Sequence, residues 1–363
     1  MTDAVNDALM TGAVWDQFCD QLKAAGRLIV DNEFSSDPID KAEGYRYLTR
    51  LLRYGFEVAL EFSDPDFPVF YAPSHETLKI MADNPDTLHF MAAIRGDRDY
   101  VIRGKRGSVN RIVFTSLSRA GEAGGLALDH GIDTSKLQVD ANGNFELIVS
   151  RNRHEGNWLA LNDNSIQILV RAIFLDRRAE TAPEISIAPL ADSGAPQALT
   201  AQKISQTLQG AAAVMAGTAT HVTRVVQAVR ANGWINKIGE DPKLVAAGDP
   251  SARYFQGLWE LRDEEALVVD IEIPECFFWN FQVNNCWMES LDYRYQRIHV
   301  NKASAEVNDG RVRIIVAHTD PGLPNWLTTD GHARGTLMSR WIDAKSPPKI
   351  VTRVVKFDAL SHL

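Results

Sequence analysis

Apolar residues recur at helical spacing over the first ninety or so positions and at every second position beyond about Asp97, so the chain passes from helical to extended structure. Val14, Phe18 and Leu22 stand four apart. A second helix opens at Asp37, a capping residue, with Pro38 in the first turn and Asp40 near the positive end of the helix dipole. Its stripe of Leu48, Leu51, Leu52, Phe56, Ala59 and Leu60 is a packing face rather than a membrane anchor, because Arg50, Arg53, Glu57 and Glu61 surround it. The Pro- and Asp-rich stretch Ser63 to Pro73 reads as loop.

Period two then predicts strands at Tyr100–Arg103, Arg111–Leu117, Phe145–Ser150 and Gln167–Leu175. It predicts them again at Leu267–Ile273, Phe277–Asn284, Arg311–His318 and Gly335–Ile342. Gly104 and Gly107 join the first two, and Asn142-Gly143 suggests a tight hairpin. Between the two sets, Thr200 to Asn232 returns to helical spacing through Ile204, Leu208, Ala212, Met215, Val222, Val226 and Val229. It stops at Asn232-Gly233. The small residues from Gly210 to Gly217 permit close packing or a break, and packing is preferred to a cofactor role.

The two sets of strands carry one pattern twice. Asn142-Gly143, Phe145–Ser150, Asn157-Trp158-Leu159 and Asp176 return as Asp309-Gly310, Val312–Ala317, Asn325-Trp326-Leu327 and Asp343. A duplication of this kind fixes architecture before chemistry. The expected fold is mainly β with helical additions. It comprises a helical N-terminal region over residues 1–95, a first antiparallel β unit over 96–195, a helical connector over 196–245 and a second β unit over 246–363.

Composition narrows the function classes. The chain has 363 residues, 45% hydrophobic and 23% charged, enough for two cores. A formal charge of −9 lacks the basic footprint of a nucleic-acid binder, and the basic run Arg103 to Arg111 reads as strand and turn. Three cysteines, Cys19, Cys276 and Cys286, are too few and odd for a disulfide framework, which points to a reducing, cytoplasmic setting. No basic and apolar leader and no run of roughly 20 apolar residues argue for membrane targeting. Phosphate-loop, paired-cysteine and zinc-helix motifs are missing, and Gly121 to Gly125 lacks the Lys of a phosphate loop, so no cofactor and no metal is expected. Linear spacing does not gather His154, His299, His318 and His332, and Cys286 reads as a buried inert thiol.

Alternation nevertheless singles out a site in the second unit. Val312, Ile314, Val316 and His318 share one face, which places His318 at the inward end of a core strand, with Asp320 as its orienter. The equivalent of His318 in the first copy is Arg151, so the two ends differ in chemistry. His318-Thr-Asp-Pro-Gly322 reads equally well as a turn closed by Asp320. In Phe277–Asn284 one face carries Trp279, Phe281 and Val283, the other Asn280, Gln282 and Asn284, which would line a polar cleft or face solvent. Trp287, Tyr293 and Arg297 follow as an aromatic and ionisable cluster, and Arg340 is a candidate for stabilising negative charge. The repeated Asn-Trp-Leu is structural: Trp anchors a core and Asn ties a loop to backbone.

A family resemblance rests on Asn84-Pro-Asp-Thr-Leu88, Tyr100-Val-Ile-Arg-Gly104, Gly156-Asn-Trp-Leu159, Val170-Arg-Ala-Ile-Phe-Leu-Asp176 and His318 to Leu327. With these the chain resembles a bacterial family known as domain-of-unknown-function family twelve-fourteen, over most of its length beyond about Pro85. The resemblance implies jelly-roll β units and brings no activity with it.

The resulting expectation is a cofactor-independent acid–base enzyme, a lyase, isomerase or hydrolase, acting on a small, partly apolar molecule. His318, Asp320 and Arg340 would be catalytic; Asn280, Gln282, Asn284, Trp279, Trp287, Tyr293 and Arg297 would bind substrate. The alternative is a non-catalytic small-molecule-binding or accessory protein using an aromatic-lined cleft between the β units. Self-association into a homo-oligomer is left open.

Overall fold

The computed structural model describes residues 2–120, 125–244 and 248–362, so most of the Gly121 to Gly125 stretch lies outside the described residues. The chain forms two compact units. The first gathers Met1–Ala25, Arg50–Leu78 and Thr87–Ala216; the second gathers Gly26–Thr49, Lys79–Asp86 and Gly217–Leu363.

Helices come first: α1 (Thr2–Met10), α2 (Ala13–Val30) and α3 (Pro38–Phe56), which continues as a π-helical turn over Glu57–Glu61. Asp37 caps α3 as its sequence suggests, its Oδ1 accepting from the Asp40 amide at 2.9 Å. Val14 and Phe18 are buried with Leu208 and Ala212. The latter two belong to α4 (Ala201–Ala231), which runs unbroken through Gly210 and Gly217.

The first β unit contains β1 (Thr87–Ala93), β2 (Tyr100–Lys105), β3 (Arg111–Arg119), β4 (Leu126–Asp133), β5 (Asn144–Ser150), β6 (Trp158–Ala160), β7 (Ser165–Ile173) and β8 (Glu184–Pro189). The second contains β10 (Ala252–Glu260), β11 (Glu265–Glu272), β12 (Phe278–Asn284), β13 (His299–Asn301), β14 (Arg311–Ala317), β15 (Trp326–Thr328), β16 (Arg334–Ile342) and β17 (Lys349–Lys356), preceded by the short β9 (Lys237–Glu240). Each unit is a pair of four-stranded sheets. Their orders are β1-β7-β3-β4 with β6-β5-β2-β8, and β10-β16-β12-β13 with β15-β14-β11-β17. Strand for strand the two orders correspond, down to the one parallel pair in each, β5 with β6 and β14 with β15. Each pair of sheets encloses a core, with Ile102, Phe114, Leu147 and Val170 in the first and Trp279, Phe281, Ile314 and Trp341 in the second.

The duplicated Asn-Trp-Leu does the same work twice. Asn157 Nδ2 donates to the Gln138 and Glu146 carbonyls while its Oδ1 accepts from the Gln138 amide. Asn325 repeats this on Glu306 and Arg313. Trp158 and Trp326 each donate their indole N–H to the last carbonyl of the neighbouring strand, Ser150 and Ala317.

Three details depart from the pattern. Strand β1 begins at Thr87, ahead of the expected boundary at 95/96, because Leu88, Phe90 and Met91 give no clean alternation. Strands β2 and β3, joined through Gly104 and Gly107, lie in different sheets. The Asn142-Gly143 turn forms, held by Asp140 Oδ1 on the Asn142 and Asn144 amides, but β5 then pairs with the distant β2 rather than with the preceding segment. In the second unit Asn308 and Arg311 do bond reciprocally around Asp309 and Gly310, both at positive φ, the signature of a type I′ turn.

Candidate functional site

In β14, Val312, Ile314 and Val316 point into the core as alternation requires. Ile315 and Ala317, on the other face, are buried as well, under Leu323, Trp326, Phe357 and Leu360. His318 lies one residue past the strand, half-buried. Its Nδ1 stands 2.7 Å from Thr329 Oγ1, and its Nε2 is buried without a partner. Asp320 is exposed and spends Oδ1 on the Gly322 amide at 2.8 Å, closing the turn that His318-Thr-Asp-Pro-Gly322 also spells. The imidazole is therefore oriented by Thr329, not by Asp320, because a carboxylate two residues from an amide reaches it at little cost in chain entropy.

Thr329, fully buried, serves a second histidine. Its carbonyl is 3.0 Å from His332 Nδ1, while His332 Nε2 is 2.9 Å from Glu43 Oε2. An imidazole between a carbonyl and a carboxylate donates from both nitrogens, so His332 is a cation here. Burial alone would lower its pKa, but the Glu43 bond and charge outweigh burial and raise it to about 9. Burial likewise works against the Glu43 carboxylate, yet His332, Arg46 and Asn285 hold it below its ordinary value. One turn earlier on α3, Asp40 is pushed up to about 6, by burial first and the charge of Asp37 second. Its Oδ1 accepts from Cys286 Sγ at 3.4 Å, and its Oδ2 lies 3.9 Å from Arg334 Nε. Burial, with Asp40 adding to it, drives the Cys286 thiol well up, so it is no nucleophile. Trp287 donates to the Asp40 carbonyl at 2.8 Å. Gly44 makes room for that indole: a Cβ there would stand 2.6 Å from the ring.

The amide face of β12 is neither cleft nor solvent face. Asn280, Gln282 and Asn284 are fully buried beneath residues 79–86 of their own chain. Asn280 Nδ2 donates to Asn84 Oδ1 at 2.7 Å and to Asp86 Oδ2 at 2.9 Å, and Asn301 Nδ2 donates to Asp86 Oδ1 at 2.8 Å. Gln282 Nε2 donates to the Asp83 carbonyl at 2.9 Å and to Asn284 Oδ1 at 2.5 Å. Arg340, opposite Asn280 in the ladder, donates to Gln282 Oε1 at 2.6 Å and to the Ala82 carbonyl. Burial pushes its guanidinium below its ordinary pKa.

The structure thus brings Arg340, Asn280, Gln282 and Asn284 together, and closes them in. Trp279 is a core residue stacked on Trp341 at 5.3 Å. Tyr293 lies beneath the Lys79 ammonium at 5.1 Å, and Arg297 is exposed, with its carbonyl bonded to the Thr328 amide. Among the described residues no three His, Cys, Asp or Glu side chains are grouped to hold a metal ion: His299 meets Asp86 and His332 meets Glu43. Thr329, Glu43 and residues 79–83 were not singled out by any local motif, while Asp40 was read only as a helix-start residue and Asn84 to Asp86 only as part of a family resemblance.

An open groove lies on the outward face of the β15-β14-β11-β17 sheet, with a volume of about 700 Å³. Ile315, Leu323 and Val351 line it together with Asp270, Glu272, Arg311, Arg313 and Lys349. These charges form a ladder: Glu272 pairs with Arg311 and Lys349, each at 2.9 Å, and Asp270 with Arg313 at 2.6 Å.

No family model matches the chain, and no curated protein does. Among solved structures it is similar to an uncharacterized protein from Burkholderia cenocepacia, at 38% identity and a TM-score of 0.92, with 97% of this chain and 99% of that one covered. It is also similar to the VPA0106 protein from Vibrio parahaemolyticus, at 13% identity and a TM-score of 0.51 over 86% of this chain and 98% of that one. The second likeness shows the fold alone. No helix among the described residues is long and apolar enough to cross a membrane.

Proposed function

The chain belongs to the same family as the uncharacterized Burkholderia cenocepacia protein, and from that premise we propose that it is a non-catalytic binding protein. Its ligand is a small, partly apolar, charged molecule held on the outward face of the second β unit. The observation that carries this reading is the open groove of about 700 Å³, a volume within the usual range for small-molecule sites. Its aliphatic floor includes Val351, which is 60% exposed and gains from being covered. The surrounding ion pairs are solvent-exposed and individually weak, so a charged ligand exchanges partners with Arg311 or Glu272 at little cost. The groove is aliphatic and ionic rather than aromatic, which departs from the cleft expected from composition.

The test is a thermal-shift screen of aliphatic carboxylates, amines and zwitterions. At least one is expected to raise the melting temperature without being converted, and Val351→Asp is expected to abolish the shift. A screen without a shift, or a shift untouched by the substitution, refutes the reading.

A second reading keeps the acid–base lyase, isomerase or hydrolase. It is favoured by His318 Nε2, unpartnered while Nδ1 is fixed on Thr329 beside the His332–Glu43 pair. His318→Ala would then remove turnover of a substrate found by screening while leaving the fold intact; unchanged turnover refutes it. Membership of family twelve-fourteen, with jelly-roll units, stays part of the proposal on the sequence resemblance alone; the matched strand orders support the duplicated β unit. Three free cysteines support a reducing, cytoplasmic setting.

A further inference from the structure

Residues 79–86 cover the outer face of β12, β13 and β16 as a strap whose contacts are those of a ligand in a site. Asp83 accepts from both the amide and the hydroxyl of Ser290, at 2.8 and 2.7 Å. Asp86 takes the two asparagine amides of neighbouring strands and stands 3.3 Å from His299 Nε2. Lys79 Nζ ends on the carbonyls of Ser290 and Leu291, at 2.6 and 2.9 Å.

Two further features set the strap apart from an ordinary buried loop. Met81 and Ala82 are consecutive non-glycine residues at φ 49° and 55°, and Ala82 donates to the carbonyl of Met288, itself at φ 55°. The left-handed region is unfavourable for such residues and is held only where the surroundings enforce it. Arg340, a buried guanidinium, bonds through the strap to a neutral carbonyl and otherwise to the neutral Gln282 oxygen; among the described residues it meets no carboxylate at hydrogen-bond distance, and the charges of Asp83 and Asp86 act on it only from farther off. Charge-assisted, bidentate pairing with a carboxylate is what a guanidinium does best.

We propose that the strap is an intramolecular ligand occupying a carboxylate-binding site, and that the site takes an acidic peptide segment with two carboxylates three residues apart when the strap lifts. Serine, asparagine and histidine donors receive the two carboxylates as they receive Asp83 and Asp86, and Arg340 is free to turn from the Ala82 carbonyl to a peptide carboxylate. A tethered strap competes at an effective concentration on the order of millimolar, so the intact protein holds itself closed.

Two measurements test this. In native-state hydrogen exchange of the whole chain, the amides of Ala82 and Ser290 should exchange at least tenfold faster than those of β12, through an opening short of global unfolding. Exchange of strap and strand at one common rate overturns the proposal. In the second, a fluorescent peptide with the strap's own sequence, Lys-Ile-Met-Ala-Asp-Asn-Pro-Asp, is titrated by anisotropy. It should bind Asp83→Asn/Asp86→Asn protein at least tenfold more tightly than wild type. Equal binding to both, or none to a folded double variant, overturns it.

Discussion

Removing the side chain of Asn325 tests whether the duplicated motif is structural and whether its two copies carry unequal weight. In Asn325→Ala three hydrogen bonds disappear, those to the Glu306 carbonyl and amide and to the Arg313 carbonyl, at 2.8, 2.8 and 3.0 Å. Asn325 is only 2% exposed, so water does not readily replace them. Each bond contributes about 1 kcal/mol net, and more where a buried partner is left unsatisfied. Asn325 also sits at φ 54°, a left-handed conformation that Asn adopts more readily than Ala, which adds about 1 kcal/mol. The sum is roughly 3–5 kcal/mol, a fall in melting temperature on the order of 10 °C for a unit of this size. Asn157→Ala loses the same three bonds in a more exposed setting and without a positive φ, so its cost is about 1–2 kcal/mol. Hydrogen exchange at β14 and β5 separates the two units, because the Asn325 carbonyl accepts from the Ile315 amide and the Asn157 carbonyl from the Ile148 amide. Equal losses in the two variants, or an Asn325→Ala cost below about 1 kcal/mol, would refute the reasoning.

Other expectations follow from the same contacts. The His332 pKa is raised in the fold, so its contribution is complete below the unfolded value of 6.5 and lost as pH rises through about 9; stability measured by urea unfolding should fall over that window, and His332→Gln should flatten the fall. Asp40 is also raised, to about 6 from 3.8, so it opposes folding increasingly as pH rises through that window, and Asp40→Asn should remove this part of the pH profile. Thr329→Val should change the tautomer of His318 seen by nitrogen NMR, whereas Asp320→Ala should leave it unchanged; the opposite result would restore Asp320 as the orienter. Gly44→Ala drives a methyl against the Trp287 ring and should cost about 1–3 kcal/mol in urea unfolding.

Much of the fold could be read from local pattern, because both periods are properties of short segments. The Asp37 cap, the helix anticipated between Thr200 and Asn232 and the eight strands anticipated by alternation need only neighbours in sequence, whereas the pattern left open whether that helix breaks between Gly210 and Gly217. The Asn-Trp-Leu repeat could be read as structural because two copies can be compared. The candidate site was less legible, since its contacts join residues far apart in sequence: Asn280 and Asp86 are separated by 194 positions, His332 and Glu43 by 289. Alternation placed the three amides of β12 on the face opposite the core, correctly, but nothing in β12 states that another segment lies over that face. His318 and Asp320 share a face by period two only if the strand continues; it ends at Ala317, and the turn then redirects Asp320. Strand β1 was missed for a related reason, as a strand with covered positions on both faces loses the alternation that would identify it.

The proposed role is tested most directly by calorimetric titration of the wild-type chain with the compound giving the largest thermal shift, beside Val351→Asp and His318→Ala. Saturable binding that survives His318→Ala, is lost in Val351→Asp and leaves the compound chemically unchanged is the predicted result. Binding that needs His318 and ignores Val351, or conversion of the compound, contradicts a groove-based binding protein.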